Sequence, residues 1–305
     1  MKSRFPVVLV LLLLGCAANV AGQQQQGSAR RASVAVLDFG ETQAGRRAAD
    51  KLSATIAANA ELALTDRDWN RAAALGAGYT GSLNLALAEA RDLGAALGAD
   101  FYLLGDAQVL RRSTSEKPVY YEAYASIFFV STRTGRLISW ERPSFEAATP
   151  AEAERLLFRE LGGEEVRHRY LIAVRRALED ERRLREMALA SPAPLIEGVP
   201  EETSAAAAGL RLPAPYRRIQ PVYPDTAARA GAEGVVDVEV SIDETGKPLS
   251  AKIVRWAGFG LDEAVIETVR QLHFRPATRD GVALPMRVLL RYNFRHPVEE
   301  GKGQK

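Results

Sequence analysis

The feature that most restricts the fold of this chain is a strict alternation of side chains near its carboxyl end. Residues 236–243 read VDVEVSID, so that every apolar residue is followed by a polar one. A period of two predicts a strand with one face on a core and the other in water. The DETGK that begins at Asp243 is typical of a hairpin turn, because Gly246 can adopt the positive φ that the turn needs. We therefore predict a return strand over residues 249–253.

A helix and a third strand complete the same unit. Apolar residues recur at helical spacing between Leu261 and Leu272, the acidic Asp262 and Glu263 suit the first turn of a helix, and Pro276 ends it. Residues 286–294 alternate again, which predicts a strand with two different faces. The predicted apolar face consists of Met286, Val288, Leu290, Tyr292 and Phe294, and the opposite face of Arg287, Leu289, Arg291, Asn293 and Arg295.

This last strand is predicted to lie at the edge of its sheet. An edge strand carries unpaired amides and carbonyls that a strand of another protein can satisfy. We therefore expect it to grip extended peptides. The arginines on its polar face are also typical of cations that keep a bare edge from aggregating, and the two interpretations are compatible.

Further residues connect this pattern to a known family. They lie at turns, at a helix start and at aromatic anchors: Gln220-Pro221, Tyr223-Pro224, Ala228, Gly231, Gly234, Gly246, Leu261-Asp262, Phe274, Pro276 and Gly281. Together with the closing aromatic strand, they make roughly residues 215–295 resemble the C-terminal domain of the TonB family. The resemblance implies a small antiparallel three-stranded sheet backed by a helix. It also implies a non-enzymatic domain that grips short peptides of outer-membrane receptors beside its last strand.

The resemblance further implies which residues touch the partner. The segment before the first strand is expected beside the bound peptide, and the last strand is expected to supply the edge. The predicted partner-binding residues are Gln220, Pro221, Tyr223, Val288, Leu290, Tyr292 and Phe294. Tyr223 and Phe274 are also typical of core residues, so a purely structural role is the alternative for both.

The amino terminus is typical of an exported protein. Lys2 and Arg4 precede an apolar run over residues 5–15, and small residues follow, as in a secretory signal. Cys16, the only cysteine, stands where a bacterial lipoprotein signal places the residue that is lipidated. Cleavage near Gly22 and retention as an uncleaved anchor are the alternatives. On each interpretation the rest of the chain lies outside the cytoplasm. We predict a periplasmic, membrane-anchored chain, held either as an outer-membrane lipoprotein or in the inner membrane.

The rest of the chain predicts an α+β protein of two domains. The first domain has the order strand, helix, strand, helix and three strands, which predicts a mixed sheet with helices against it. A charged helical stretch, interrupted at Gly162-Gly163, and a proline-rich linker follow it. The predicted boundaries are 1–22 for the signal or anchor, 23–32 for a flexible tether, 33–148 for the first domain, 149–190 for the helical extension, 191–215 for the linker, 216–297 for the second domain and 298–305 for a tail.

The first domain also resembles a known group of proteins. The motifs VAVLDF, LTDRD, LGADFYLLGDAQ and STRTGRL are similar to those of the envelope domain of CsgG-type curli-secretion lipoproteins, over about residues 33–145. The motifs are structural, and no residue role follows from them. The sequence has no apolar hairpins that would build a membrane channel, which argues against a secretion pore.

Several classes of function are disfavoured. The 40 basic residues against 38 acidic ones leave a formal charge of only +2, which argues against a nucleic-acid binder. Gly76, Gly78 and Gly81 spell G-x-G-x-x-G, but no strand precedes them as a dinucleotide site requires. The histidines lie too far apart to predict a metal site, and Asp38 is best interpreted as a capping carboxylate. We predict no catalytic residues, no cofactor and no metal.

Two functions remain open. The first is a non-enzymatic envelope protein that binds outer-membrane TonB-dependent receptors by β-strand addition and takes part in transport. The second is an outer-membrane lipoprotein that scaffolds envelope assembly or secretion, with the last domain used for partner contacts or for self-association. The apolar run near the N-terminus has no histidine, and the linker of roughly 25 residues reaches on the order of 80 Å at most. Both features favour binding over energy transduction.

Overall fold

Two main sheets organise the chain. The computed structural model describes residues 31–113, 119–190, 196–201 and 204–296. The predicted signal, Cys16, all but the last two residues of the tether, the start of the linker and the tail lie outside the described residues. We call residues 31–190 the N-terminal module and residues 196–296 the C-terminal module.

The N-terminal module is built on a mixed sheet, as predicted. Its order is β2-β1-β3-β4-β5, and β6 also pairs with β4. The strand β1 runs parallel to β2 and β3, whereas β3 and β4 form a long antiparallel ladder. The elements are β1 (Ala32–Val36), α1 (Gln43–Ala57), β2 (Leu62–Leu64), α2 (Arg67–Gly76), α3 (Leu87–Leu97), β3 (Phe101–Arg112), β4 (Tyr120–Ser131), β5 (Leu137–Glu141), β6 (Ser144–Ala147), α4 (Pro150–Leu161) and α5 (Glu164–Ala190).

Each face of this sheet is covered differently. Alternate residues of β4 point to opposite faces, so that Phe129 lies in one hydrophobic cluster and Phe128 in another. Helices α1, α4 and α5 cover the Phe129 face. The Phe128 face is covered by α3 and by part of the C-terminal module.

Two details of the N-terminal module differ from the sequence prediction. The residues that follow Leu62–Leu64 read as a polar loop in the sequence, but they form α2, which begins because the Asp66 side chain accepts a hydrogen bond from the amide of Trp69 at 2.8 Å. The sequence pattern predicts a second helix over residues 83–98, but α3 begins at Leu87, since Asn84 bonds to the other module instead. The break at Gly162-Gly163 is confirmed, because it separates α4 from α5.

The C-terminal module contains the three predicted strands and the helix. Its sheet has the order β11-β10-β15-β7, and α7 packs against β10 and β11. The described part of the predicted linker forms short strands that pair within this module. The elements are β7 (Glu197–Gly198), a 3₁₀ helix (Ala205–Ala207), β8 (Leu210–Arg211), β9 (Ala214–Pro215), α6 (Asp225–Ala230), β10 (Gly234–Ile242), β11 (Pro248–Arg255), α7 (Leu261–Arg270), β12 (Phe274–Arg275), β13 (Ala277–Arg279), β14 (Val282–Leu284) and β15 (Met286–Phe294).

The two modules share one hydrophobic cluster. Trp256 follows β11 and stacks on Phe128 of β4, with ring centroids 5.9 Å apart. Phe259 packs edge-on against the same ring at 5.4 Å and also contacts Trp140. These aromatic contacts join the loop before α7 to the sheet of the N-terminal module.

Hydrogen bonds fix the same junction. The Asn84 side chain donates to the carbonyls of Val235 and Trp256, at 2.8 and 2.6 Å, and accepts from the Val235 amide at 3.0 Å. Arg255 reaches back to the Asn84 carbonyl and to the Glu89 carboxylate, both within 3.1 Å. One asparagine thereby satisfies backbone groups at the start of β10 and after β11.

Asp262 holds the loop that carries these aromatic residues, and it gives the fold a pH dependence. Its carboxylate accepts hydrogen bonds from the amides of Ala257 and Gly258, at 3.0 and 2.8 Å. Burial raises the pKa of Asp262 to about 6, and the two amide bonds oppose this only in part. The folded chain therefore binds a proton at the Asp262 carboxylate more tightly than the unfolded chain does.

We expect the contribution of Asp262 to stability to be present below pH 4 and to be lost as the pH rises through 6. The loss is about 2–3 kcal/mol of the free energy of unfolding. Urea unfolding of the wild type and of Asp262→Asn between pH 4 and pH 7 measures it, because the difference between the two proteins removes the other titrating groups. Two parallel stability curves would contradict the prediction.

Candidate partner-binding edge

The last strand, β15, is paired along its whole length on one side only. Its partner there is β10, in antiparallel register from Gly234 opposite Phe294 to Ile242 opposite Met286. On its other side, β7 pairs in parallel with Met286 and Arg287. Within the described part of the chain, no strand pairs with residues 288–294 on that side. The open edge is therefore shorter than the sequence suggests, and it begins at Val288.

Side chains hold β7 in place at the start of this edge. Arg287 donates a hydrogen bond to the Ile196 carbonyl at 2.9 Å. Glu197 forms an ion pair with Arg279 of β13 at 2.8 Å, and Arg279 also donates to the Ala206 carbonyl at 3.1 Å. The segment before the 3₁₀ helix is thus tied to β13 and to β15. The strand β7 is only two residues long, which is too short to show a periodic pattern, so no sequence signal could have located it.

The apolar side chains of β15 face the core, as the alternation predicts. Val288 and Phe294 are buried, and Leu290 and Tyr292 are half-buried against the same cluster. The side chains of these four predicted binding residues are therefore directed mainly into the core and not toward a partner. Leu289, on the opposite face, is 59% exposed and is the apolar side chain that the edge presents to solvent.

Among the predicted binding residues before β10, Tyr223 contacts the end of β15. Its hydroxyl donates to the Ala232 carbonyl at 2.6 Å, and its ring centroid lies 6.3 Å from that of Phe294. Gln220 is exposed and Pro221 half-buried in the irregular segment that precedes α6. The structure therefore brings Tyr223 to the end of β15.

The polar face of the sheet is tied together by ion pairs. Asp237 of β10 accepts hydrogen bonds from Arg291 of β15 at 2.7 and 2.9 Å, and Arg255 of β11 lies 3.5 Å from it. The hydrogen bonds from Arg291 lower the pKa of Asp237 and outweigh the effect of burial. Arg287 lies 3.7 Å from Glu239 in the same way. Arg291 is therefore bound to the neighbouring strand, whereas Arg287 contacts both Glu239 on that strand and the Ile196 carbonyl beside β7.

Asp38, the other carboxylate singled out in the sequence, has two arginine partners. Asp38 forms ion pairs with Arg67 and Arg71, so it bonds to side chains of α2 rather than capping the loop. Among the residues that the structure describes, no group of three or more His, Cys, Asp or Glu side chains could hold a metal ion. The described helices include none with the length and apolar character needed to cross a bilayer.

Comparison with known proteins identifies the C-terminal module. Residues 219–296 match the family model of the Gram-negative bacterial TonB protein C-terminal. Protein TonB of Vibrio cholerae serotype O1 is 30% identical to this chain over 79 residues. The match covers 26% of this chain and 32% of that protein, so the chain spans about a third of the relative's length.

Solved structures give weaker likenesses. The TonB C-terminal domain of Pseudomonas aeruginosa is 18% identical, with 35% of this chain and 99% of that chain covered and a TM-score of 0.26. The LpoB C-terminal domain of Salmonella enterica is 15% identical, with 39% and 85% covered and a TM-score of 0.28. A hypothetical protein of Chlamydia trachomatis is 14% identical, with 43% and 93% covered and a TM-score of 0.32. TM-scores below 0.5 do not establish a common fold.

These matches bear on the two resemblances differently. They do not support the similarity of residues 33–145 to CsgG-type lipoproteins, which stays a prediction. The hairpin, the helix α7 and the strand β15 all lie inside the range that the family model covers. This chain therefore carries a TonB C-terminal domain at residues 219–296.

Proposed function

We propose that this chain is a non-enzymatic cell-envelope protein that binds a strand-forming segment of an outer-membrane partner along β15. The partners are TonB-dependent receptors or other envelope proteins, and the chain acts in the periplasm, anchored to a membrane through its N-terminal segment. The observation that carries the proposal is the unpaired side of residues 288–294 in a TonB C-terminal domain.

Backbone geometry supports this mode of binding. Alternate residues of an edge strand direct their amide and carbonyl outward, so residues 288–294 offer three or four such residues to an added strand. Each hydrogen bond contributes about 0.5–1.5 kcal/mol net, which suits a reversible complex once the cost of ordering a peptide is subtracted. The pairing of β7 with Met286 and Arg287 supports the idea that this side of β15 accepts a strand.

Peptides of outer-membrane receptors test the proposal. We expect a peptide to bind the full chain in a calorimetric titration, and we expect methylation of its amides one at a time to abolish binding at every second position. The period of two arises because only alternate amides face β15. Binding that tolerates methylation at every position would contradict strand addition, as would the absence of binding.

A variant of β15 provides the matching test from the protein side. Leu289→Pro removes one amide hydrogen from the edge and should lower peptide affinity at least tenfold. Leu289→Ala is the control, because the side chain is largely exposed and its truncation leaves the backbone intact. Circular dichroism of both variants shows whether the sheet is retained, and equal affinities of the two folded variants would contradict the prediction.

The junction of the modules favours a second candidate. Trp256 and Asn84 join the TonB C-terminal domain to the N-terminal module, which suits a scaffold more than a transducer on a long spacer. The mass of the mature N-terminus separates the two functions. A diacylated Cys16 supports an outer-membrane scaffold, and an intact Met1 in the inner membrane supports the transducer.

A further inference from the structure

The end of β15 opens into a large cleft between the modules. The cleft has a volume of about 1010 Å³. The N-terminal module contributes Arg112, Glu122 and Arg142, and the C-terminal module contributes Arg229 of α6 and His296. His296 follows Phe294, the last residue of β15, by two positions. The cleft therefore begins where the open edge ends.

Two arginines of this cleft share one carboxylate. Glu122 accepts from Arg142 at 2.9 Å and also pairs with Arg112 at 3.0 Å. Burial alone would raise the pKa of Glu122, but hydrogen bonds from Ser144 and Arg142 outweigh it and lower the pKa. One ionised carboxylate thus serves two guanidinium groups, each of which has donors to spare.

A third cation adds to this excess. Arg229 is exposed and has no ion-pair partner among the described residues. Two further carboxylates line the cleft, but Glu141 is bound by Tyr170 at 2.5 Å and by Arg169. Without Glu141, the acids that line the cleft are Glu122 and Glu146, and the arginines are Arg112, Arg142 and Arg229.

We propose that this cleft receives an acidic segment that flanks the strand bound to β15. The inference rests on the proposed function, because it extends the same bound peptide beyond Phe294. A strand advances about 3.3 Å per residue, so two or three further residues reach the position of His296. Glu233 already accepts from the His296 amide at 3.0 Å. An incoming carboxylate is therefore attracted further into the cleft, toward Arg229 and the donors of Arg112 that Glu122 does not use. A TonB C-terminal domain alone would not form this cleft. The N-terminal module thereby selects among partners that share the same strand.

Three versions of a receptor peptide test this. The first is the strand alone, and the others carry three acidic residues at the amino or at the carboxyl end; versions with three glutamines control for length. By fluorescence anisotropy in low salt, we expect one acidic extension to increase affinity about five- to twentyfold and the glutamine extensions to have no such effect. The gain should fall as salt rises, since the contacts are ionic.

Variants of the full chain locate the effect. Arg229→Glu should abolish the gain from the acidic extension and leave the affinity for the strand alone unchanged. Arg46→Glu is the matched control, since Arg46 is exposed on α1, across the sheet from the cleft, and the change in net charge is the same. Arg46→Glu should retain the full gain.

The possible outcomes separate this inference from the proposed function. If the strand peptide binds and neither acidic extension adds affinity, the cleft has no such role and strand addition stands. If Arg229→Glu weakens all versions equally, the attraction is general and the inference is wrong. If no version binds, strand addition fails and the inference fails with it.

Discussion

Replacing Trp256 by alanine is expected to lower the free energy of unfolding by about 3–5 kcal/mol. The side chain is 2% exposed, and its ring stacks on Phe128 of the other module. Its indole nitrogen also donates to the buried Gly135 carbonyl at 3.0 Å. The substitution therefore leaves a cavity and an unsatisfied acceptor at the same point, and both effects destabilise the fold.

Urea unfolding followed by circular dichroism measures this loss. Trp69→Ala is the control, because Trp69 is 61% exposed on α2 and its truncation should change stability by no more than about 0.5 kcal/mol. We also expect the wild type to unfold in one transition and Trp256→Ala in two, since the contact between the modules is lost. Equal stabilities of the two variants would show that the stacked pair does not join the modules.

The second large effect is expected at Gly246, in the hairpin between β10 and β11. A Cβ atom there would lie 1.8 Å from the carbonyl oxygen of Phe274, and the residue has a φ of +89°. The Gly246 carbonyl also accepts the Phe274 amide at 2.9 Å, so the two backbones cannot separate without breaking this bond. We expect Gly246→Ala to cost about 3 kcal/mol or more, from strain and from displacement of β12.

Gly281 offers a matched comparison for Gly246. It has a φ of +85°, but nothing lies within 4 Å of the position of its Cβ. Gly281→Ala therefore tests the cost of positive φ alone, about 1–2 kcal/mol. Thermal unfolding of both variants separates the two terms, and equal losses would mean that the close approach of Phe274 is of no consequence.

The sequence predicted those parts of the fold that have a local period. The alternation in β10 and β15 was sufficient to place both strands and to assign their faces, because a period of two reports burial directly. It could not reveal what covers a buried face. Nothing near Trp256 indicates that its partner is Phe128, more than a hundred residues away in the chain.

The candidate site was predictable to a similar degree. Gly246 and the last strand were recognisable from their own residues, whereas β7 was not, since Glu197 and Gly198 lie in a stretch without a pattern. The free side of β15 is a property of how distant segments pair. The cleft beside His296 likewise depends on how the two modules meet, which no local pattern in the sequence indicates.

The contact between Trp256 and Phe128 also has a mechanical consequence. Tension on a segment bound along β15 would act parallel to the strands, so all the backbone hydrogen bonds between the segment and β15 would share the force. The antiparallel pairing of β15 with β10 would transmit this force further. From β10 and β11 the tension passes through Asn84 and the stacked rings into the first sheet. A pull on the captured segment would therefore drag both halves of the protein together instead of stretching a tether between them.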